Sequence, residues 1–123
     1  MESNNDNSPT NEYIIAAITY LPIVGFLLVF TMGKKYFVRY HAGHSILIYI
    51  IGSIFLISYI ALYIFLRTRF IDPFVIDTAW GFIFSLHLLF SFIFLFYCSI
   101  QAYLGRYIVI PIITKLFYLV FNK

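Results

Sequence analysis

The sequence predicts an all-α integral membrane fold: three transmembrane helices followed by a short interfacial helix at the C-terminal end. Three observations carry that expectation. Hydrophobic residues make up 63% of the 123 and charged residues 11%, outside the composition of an ordinary soluble domain. The apolar residues gather into three runs, about Ile14 to Met32, Ile46 to Leu66 and Thr78 to Tyr103. Each is close to the ~20 residues that carry a helix across ~30 Å of hydrocarbon. Nearly every Lys, Arg, Asp and Glu lies between or outside those runs.

Taken in order, residues 1–12 read as a disordered polar tail, with Glu2, Asp6 and Glu12, no base, and Pro9. The acidic leader, and an apolar run that passes into Gly33-Lys34-Lys35, argue against a secretory signal, which begins basic and ends at a small-residue cleavage site. Residues 13–105 make the three-span domain. Pro22 and Gly25 predict a kink in the first span, because Pro removes a backbone donor and clashes with the preceding turn. Asp77 is expected to cap the third span, with Trp80 as its interfacial anchor. Residues 106–123 form the interfacial segment: Pro111 suits the first turn of a helix, and the stretch to Phe121 is about half the length of a crossing. A strained fourth crossing from Tyr107 to Phe121 is the alternative.

The net charge of +3 comes from bases at span ends, not from one basic stripe, so no nucleic-acid partner is expected. Lys34, Lys35, Arg39, Arg106, Lys115 and Lys123 stand against Arg67 and Arg69, six to two. The positive-inside rule then places the first loop and the C-terminus in the cytoplasm and the N-terminus outside. Cys98 is the single cysteine, so no intrachain disulfide forms.

Helical phase assigns the packed faces. His41, Ser45, Tyr49, Gly52, Leu56, Tyr59 and Tyr63 share a sector of roughly 80° on the second helix. On the third, His87, Ser91, Cys98, Gln101, Ala102 and Gly105 share about 100°, and Tyr13, Ala17, Tyr20, Val24 and Thr31 align on the first. Lipid is as apolar as Leu, so small and hydroxyl-bearing residues mark the faces that meet other helices. Tyr20, Ser45, Tyr49, Gly52, Tyr59, His87, Ser91, Ala102 and Gly105 are the expected packing residues. Arg39, His41, Arg106 and Lys115 are the expected contacts to a partner or to lipid. Arg39, at the end of the second helix, has two candidate partners: a lipid phosphate or a carbonyl of the C-terminal segment. His41 and His44 are spaced to share a ligand, but no Cys, Asp or Glu accompanies them and His87 is expected near the opposite interface. No metal or cofactor is therefore assigned.

The segment Phe37-Val38-Arg39-Tyr40-His41, following a basic loop and opening a helix, resembles the signature of small prokaryotic membrane proteins of the Tic-twenty-like family, relatives of a chloroplast inner-envelope import component. Tyr20-Leu21-Pro22 is similar to that family's opening, and Gly105-Arg106-Tyr107 with Pro111 to its ending. Members often carry Gln at the position of His44. The resemblance covers nearly the whole chain; it implies the bundle fold and a place in protein translocation. With no nucleophile, carboxylate pair or phosphate loop in view, the leading expectation is a non-enzymatic membrane subunit of a larger complex, contacting lipid and other subunits. The alternatives are a homo-oligomeric channel or transporter and a haem- or metal-binding membrane anchor.

Overall fold

The computed structural model describes residues 9–31, 35–69 and 72–121. Most of the expected polar tail (residues 1–8), Lys34 and Lys123 lie outside them. The described residues form five helices and no strand: α1 (Pro9–Ile18), α2 (Val24–Thr31), α3 (Tyr36–Arg69), α4 (Pro73–Tyr103) and α5 (Pro111–Phe121).

The long helices outrun the apolar runs that announced them. α3 has 34 residues because Tyr36 to Ser45, though interrupted by Arg39, His41 and His44, holds no Pro and continues the helix toward the N-terminus. α4 has 31 and starts at Pro73, not Thr78. Asp72 caps it, Oδ1 accepting the Phe74 N–H at 3.1 Å, and Pro73 fills the first helical position, where its missing N–H costs nothing. Asp77 therefore lies inside α4, and its expected role as the cap is corrected. α4 ends in a Schellman motif: Gly105, at φ +73°, donates to the Ala102 carbonyl, and Arg106 N–H donates to Gln101, both at 3.0 Å. α5 opens on Pro111 and buries Ile113 and Phe117 one turn apart.

The first apolar run departs most from expectation. Instead of one kinked helix it is two short ones, of 10 and 8 residues, separated by a turn at Thr19–Ile23. Its ends meet: Lys35 Nζ lies 2.9 Å from Glu12 Oε1. A run whose ends form an ion pair has doubled back. The tail boundary also moves, since α1 begins at Pro9.

α3 and α4 are the two helices long and apolar enough to cross a bilayer, and α5 is a shorter apolar helix. Their most apolar windows are only 11% and 6% buried, whereas the core helix of a soluble protein is mostly enclosed. These features are compatible with a membrane location. The chain divides into two compact units, one of Met1–Tyr49 with Leu95–Lys123, the other of Ile50–Phe94.

Candidate functional site

In the first unit, the break after α1 is closed partly by backbone bonds and partly by side chains from other elements. At the end of α1 the Thr19, Tyr20 and Leu21 amides turn back to the carbonyls of Ala16, Ala17 and Ile18, at 3.3, 3.4 and 3.0 Å. The Thr19 hydroxyl adds a bond of 2.6 Å to Ala16. Pro22 has no N–H to continue the ladder, so later carbonyls need partners from elsewhere. Ser45 of α3 donates to the Thr19 carbonyl at 2.5 Å and Tyr49 to the Tyr20 carbonyl at 2.7 Å. Ser99 of α4 donates to Ala17 at 3.0 Å. Irregular backbone is tolerable in an apolar setting only when its polar groups are met in this way.

These contacts fix how far the run extends along α3. Tyr13 packs edge-to-face on Phe37, their centroids 5.2 Å apart, while the turn bonds Ser45 and Tyr49. At 1.5 Å per residue the turn lies about 12 to 18 Å farther along α3 than Phe37. Ile23, just past Pro22, holds φ +72°, a conformation β-branched residues rarely adopt. Small residues let the chains approach: Ala16, Cys98 and Ala102 are fully enclosed beside Tyr20, Phe37 and Ile108.

A second set of bonds holds the C-terminal segment on the start of α3. Tyr40 donates to the Ile108 carbonyl at 2.6 Å, and Arg39 Nη2 to the Phe121 carbonyl at 2.8 Å, satisfying a free carbonyl at the end of α5. His44 Nδ1 sits 2.9 Å from the Tyr40 carbonyl, which only accepts, so the bonding pattern assigns the neutral ring's proton to Nδ1. Its Nε2 then accepts from Thr114 Oγ1 at 3.0 Å, and that oxygen accepts the Ile110 N–H at 3.0 Å. The chain runs unbroken from the start of α5 into α3. Tyr107 completes the aromatic packing 5.0 Å from Tyr40, its phenol pushed up by burial and then by Tyr118.

His41 is the exception in this network. Its Nδ1 pairs with the Tyr20 hydroxyl at 2.9 Å. Its Nε2 is buried without a hydrogen bond of ordinary geometry, although the Arg106 backbone interacts with the ring. Full enclosure withdraws His41 from the expected partner or lipid contacts: it is a packing residue. Of the others, Arg39 is half-buried on its carbonyl, one of the two partners expected for it. Arg106 and Lys115 are exposed and, among the described residues, have no ion-pair partner.

The second unit uses its polar groups differently. Ser58, Ser85 and Ser91 donate to carbonyls four residues back in their own helices, at 2.9, 2.8 and 2.8 Å. Ser91 thus meets the His87 backbone, not its ring. His87 is exposed and stacks on Tyr59 at 5.9 Å, and Tyr59 packs on Trp80 at 4.6 Å. Tyr63 donates to Asp77 Oδ1 at 2.6 Å, and Arg67 Nη2 lies 3.5 Å from Oδ2. Gly52, expected to permit close packing, has open space where a Cβ would stand, with nothing among the described residues within 4 Å of it. The tight glycines among the described residues are Gly25, against Ser45 and the Thr19 carbonyl, Gly43, against Phe117, and Gly105, against the Tyr13 ring.

Tyr20, Ser45, Tyr49, Ala102 and Gly105 are therefore brought together in the first unit, and Tyr59, His87 and Ser91 belong to the second. Thr19, Ser99 and Thr114 complete the network without having been singled out from sequence, and Tyr40 entered only as part of the Phe37–His41 segment. A hydroxyl near a predicted Pro break was the signal that existed for Thr19. No three of His, Cys, Asp or Glu converge as a metal site requires among the described residues. No family model, curated protein or solved structure matches this chain.

Proposed function

We propose that this chain is a non-enzymatic integral membrane subunit of a larger assembly. The observation that carries the reading is the pair of helices α3 and α4, each longer than a bilayer's hydrocarbon layer and apolar over a window that the chain itself leaves almost entirely uncovered. In water such a surface would aggregate; lipid and other transmembrane helices are its natural cover. Most of the buried polar groups support a structural role, because they are engaged in closing backbone bonds, His41 being the exception. The resemblance of Phe37 to His41 to the Tic-twenty-like proteins points the same way, toward an assembly that moves proteins or solutes.

The topology we propose has two crossings, α3 and α4, with the first apolar run re-entrant and α5 at the interface. The Glu12–Lys35 pair keeps the start of α1 beside the first loop, and the Arg39–Phe121 bond keeps the end of α5 there too. The six-to-two excess of Lys and Arg makes that side cytoplasmic. This replaces the external N-terminus expected from the runs alone. In intact cells, cysteines introduced at Ser3 and at Lys35 are both expected to resist an impermeant maleimide and both to react after permeabilisation. Labelling of Ser3→Cys alone in intact cells would restore a third crossing. For the assembly, affinity capture in mild detergent is expected to recover the chain with other membrane proteins; a lone monomer, unaltered by chemical crosslinking in the native membrane, would overturn the subunit reading. A homo-oligomer with conductance would favour a channel.

A further inference from the structure

In the second unit, near the end of α3 and the start of α4, charged and aromatic side chains gather into one patch with no excess charge. Asp77 is bound by Tyr63, and Arg67 approaches it only at 3.5 Å, with its guanidinium 6.0 Å from the Tyr63 ring centre. The long contact leaves most of the five guanidinium donors unspoken for, and both side chains remain open to their surroundings, at 53% for Arg67 and 42% for Asp77. Trp80 stands beside them, 4.6 Å from Tyr59 and 5.8 Å from Tyr63, ring centre to ring centre. Arg69 and Asp72 add one further charge of each sign.

From this juxtaposition we infer that Arg67, Asp77, Tyr63 and Trp80 form a binding site for a zwitterionic phospholipid headgroup, a phosphate diester carrying an ammonium group. Arg67 presents donors of the geometry that phosphate oxygens accept. Asp77, with the Trp80 ring beside the Tyr63 that holds it, presents what an ammonium group needs, a carboxylate and π-electron density. Tyr63 holds the carboxylate in place by its 2.6 Å bond, so the acidic half of the site is built before a ligand arrives. A headgroup with net negative charge would satisfy Arg67 but bring no ammonium group to Asp77, which it meets as a like charge. The patch therefore selects by charge pattern, whereas a helix-end anchor alone would be indifferent to headgroup.

The inference rests on the membrane reading, and a single reporter tests it. Trp80 is the only tryptophan, so intrinsic fluorescence reads the patch directly. Full-length protein in non-ionic detergent is titrated with short-chain phosphatidylethanolamine, with phosphatidylglycerol of the same chains, and with soluble phosphoethanolamine. The expected result is a saturable change in Trp80 emission with phosphatidylethanolamine, at about fivefold lower concentration than with phosphatidylglycerol, a ratio set by one partly exposed ion contact and one cation–π contact. Phosphoethanolamine is expected to produce the same change only at much higher concentration; if it matches the lipid, the occupant is a soluble zwitterion and the lipid assignment falls. Asp77→Asn is expected to abolish the preference between the two lipids, Arg67→Gln to weaken both, and Arg106→Gln, in the other unit, to change neither. Equal response of the unsubstituted protein to both lipids, or none, overturns the site whatever the variants do. Extraction by alkaline carbonate separates the two failures: a chain that stays in the membrane but shows no preference loses only this site, and a chain that is released loses the membrane reading as well.

Discussion

The serine hydroxyls that bond backbone carbonyls serve opposite purposes in the two compact units. In the first, Ser45, Tyr49 and Tyr40 reach across to carbonyls freed by a turn or an extended segment, and Ser99 adds a second donor to the Ala17 carbonyl, which already accepts the Tyr20 N–H. In the second, Ser58, Ser85 and Ser91 fold back on their own helices, where the backbone bonds are already made and the hydroxyl only needs somewhere to point. The difference teaches where irregular backbone is affordable in an apolar protein. A doubled-back run exists beside α3 because α3 carries donors at the required heights. The uninterrupted helices of the second unit require none, and their side chains are mostly exposed apolar groups.

The largest expected contrast comes from core truncation. Phe117 is almost fully enclosed and packs on Tyr40, His44 and Phe121. Phe117→Ala is expected to cost about 3–5 kcal/mol, while Phe92→Ala, on an open face of α4, is expected to cost under ~1 kcal/mol. Thermal unfolding in detergent measures both, and similar losses would erase the distinction between the units. Next come the hydroxyls. Ser45→Ala and Tyr49→Phe each strip a buried carbonyl of a donor, expected at about 1–3 kcal/mol, whereas Ser58→Ala and Ser85→Ala are expected within ~0.5 kcal/mol. A silent Ser45→Ala would mean that the turn at Thr19–Ile23 is held by something other than α3.

Arg39→Ala tests the C-terminal clamp with a smaller effect, about 1–2 kcal/mol, since the bond is charge-assisted but half-exposed. Limited proteolysis reads it best: cleavage between Gly105 and Phe121 is expected to accelerate while α3 and α4 stay intact. Arg39→Lys, which keeps one donor and the charge, is expected to recover part of the protection.

The long helices were legible because uninterrupted hydropathy is a local property, and α5 was legible from Pro111 and its length. The fate of the first run was not. Pro22 is compatible with a kink or with a full break, and which one forms depends on whether donors stand opposite the freed carbonyls; these come from Ser45 and Tyr49, 26 and 29 residues away in the hydrogen-bonded pairs. The same non-locality hid two of the tight glycines, Gly25 and Gly43. Gly43 and Gly52 sit in one helix in similar company, and only the fold brings Phe117 against the first and nothing against the second. Helical phase gathered His41, Ser45 and Tyr49 on one face; it carried no information about burial depth, so Gly52 was grouped with them.

The glycines also supply the smallest effect and the one with opposite signs in the two units. A Cβ at Gly25 would stand 2.6 Å from the Thr19 carbonyl oxygen, a backbone atom that cannot move aside without opening the turn, so Gly25→Ala is expected to destabilise. At Gly52 and Gly81 a Cβ meets nothing within 4 Å. There the substitution only removes backbone freedom from the unfolded chain and improves helix propensity, an expected gain of about 0.5–1 kcal/mol each in the isolated protein. The gain becomes informative when it is compared with assembly. If a neighbouring subunit's helix approaches closest at Gly52, then Gly52→Leu leaves the isolated chain as stable as before yet reduces recovery of partners from the membrane, because the bulk meets the neighbour and not this chain. Unfolding temperature and partner recovery, measured on the same variant, then move apart. Gly52→Leu that lowers both would put a packing contact within this chain where the structure has open space.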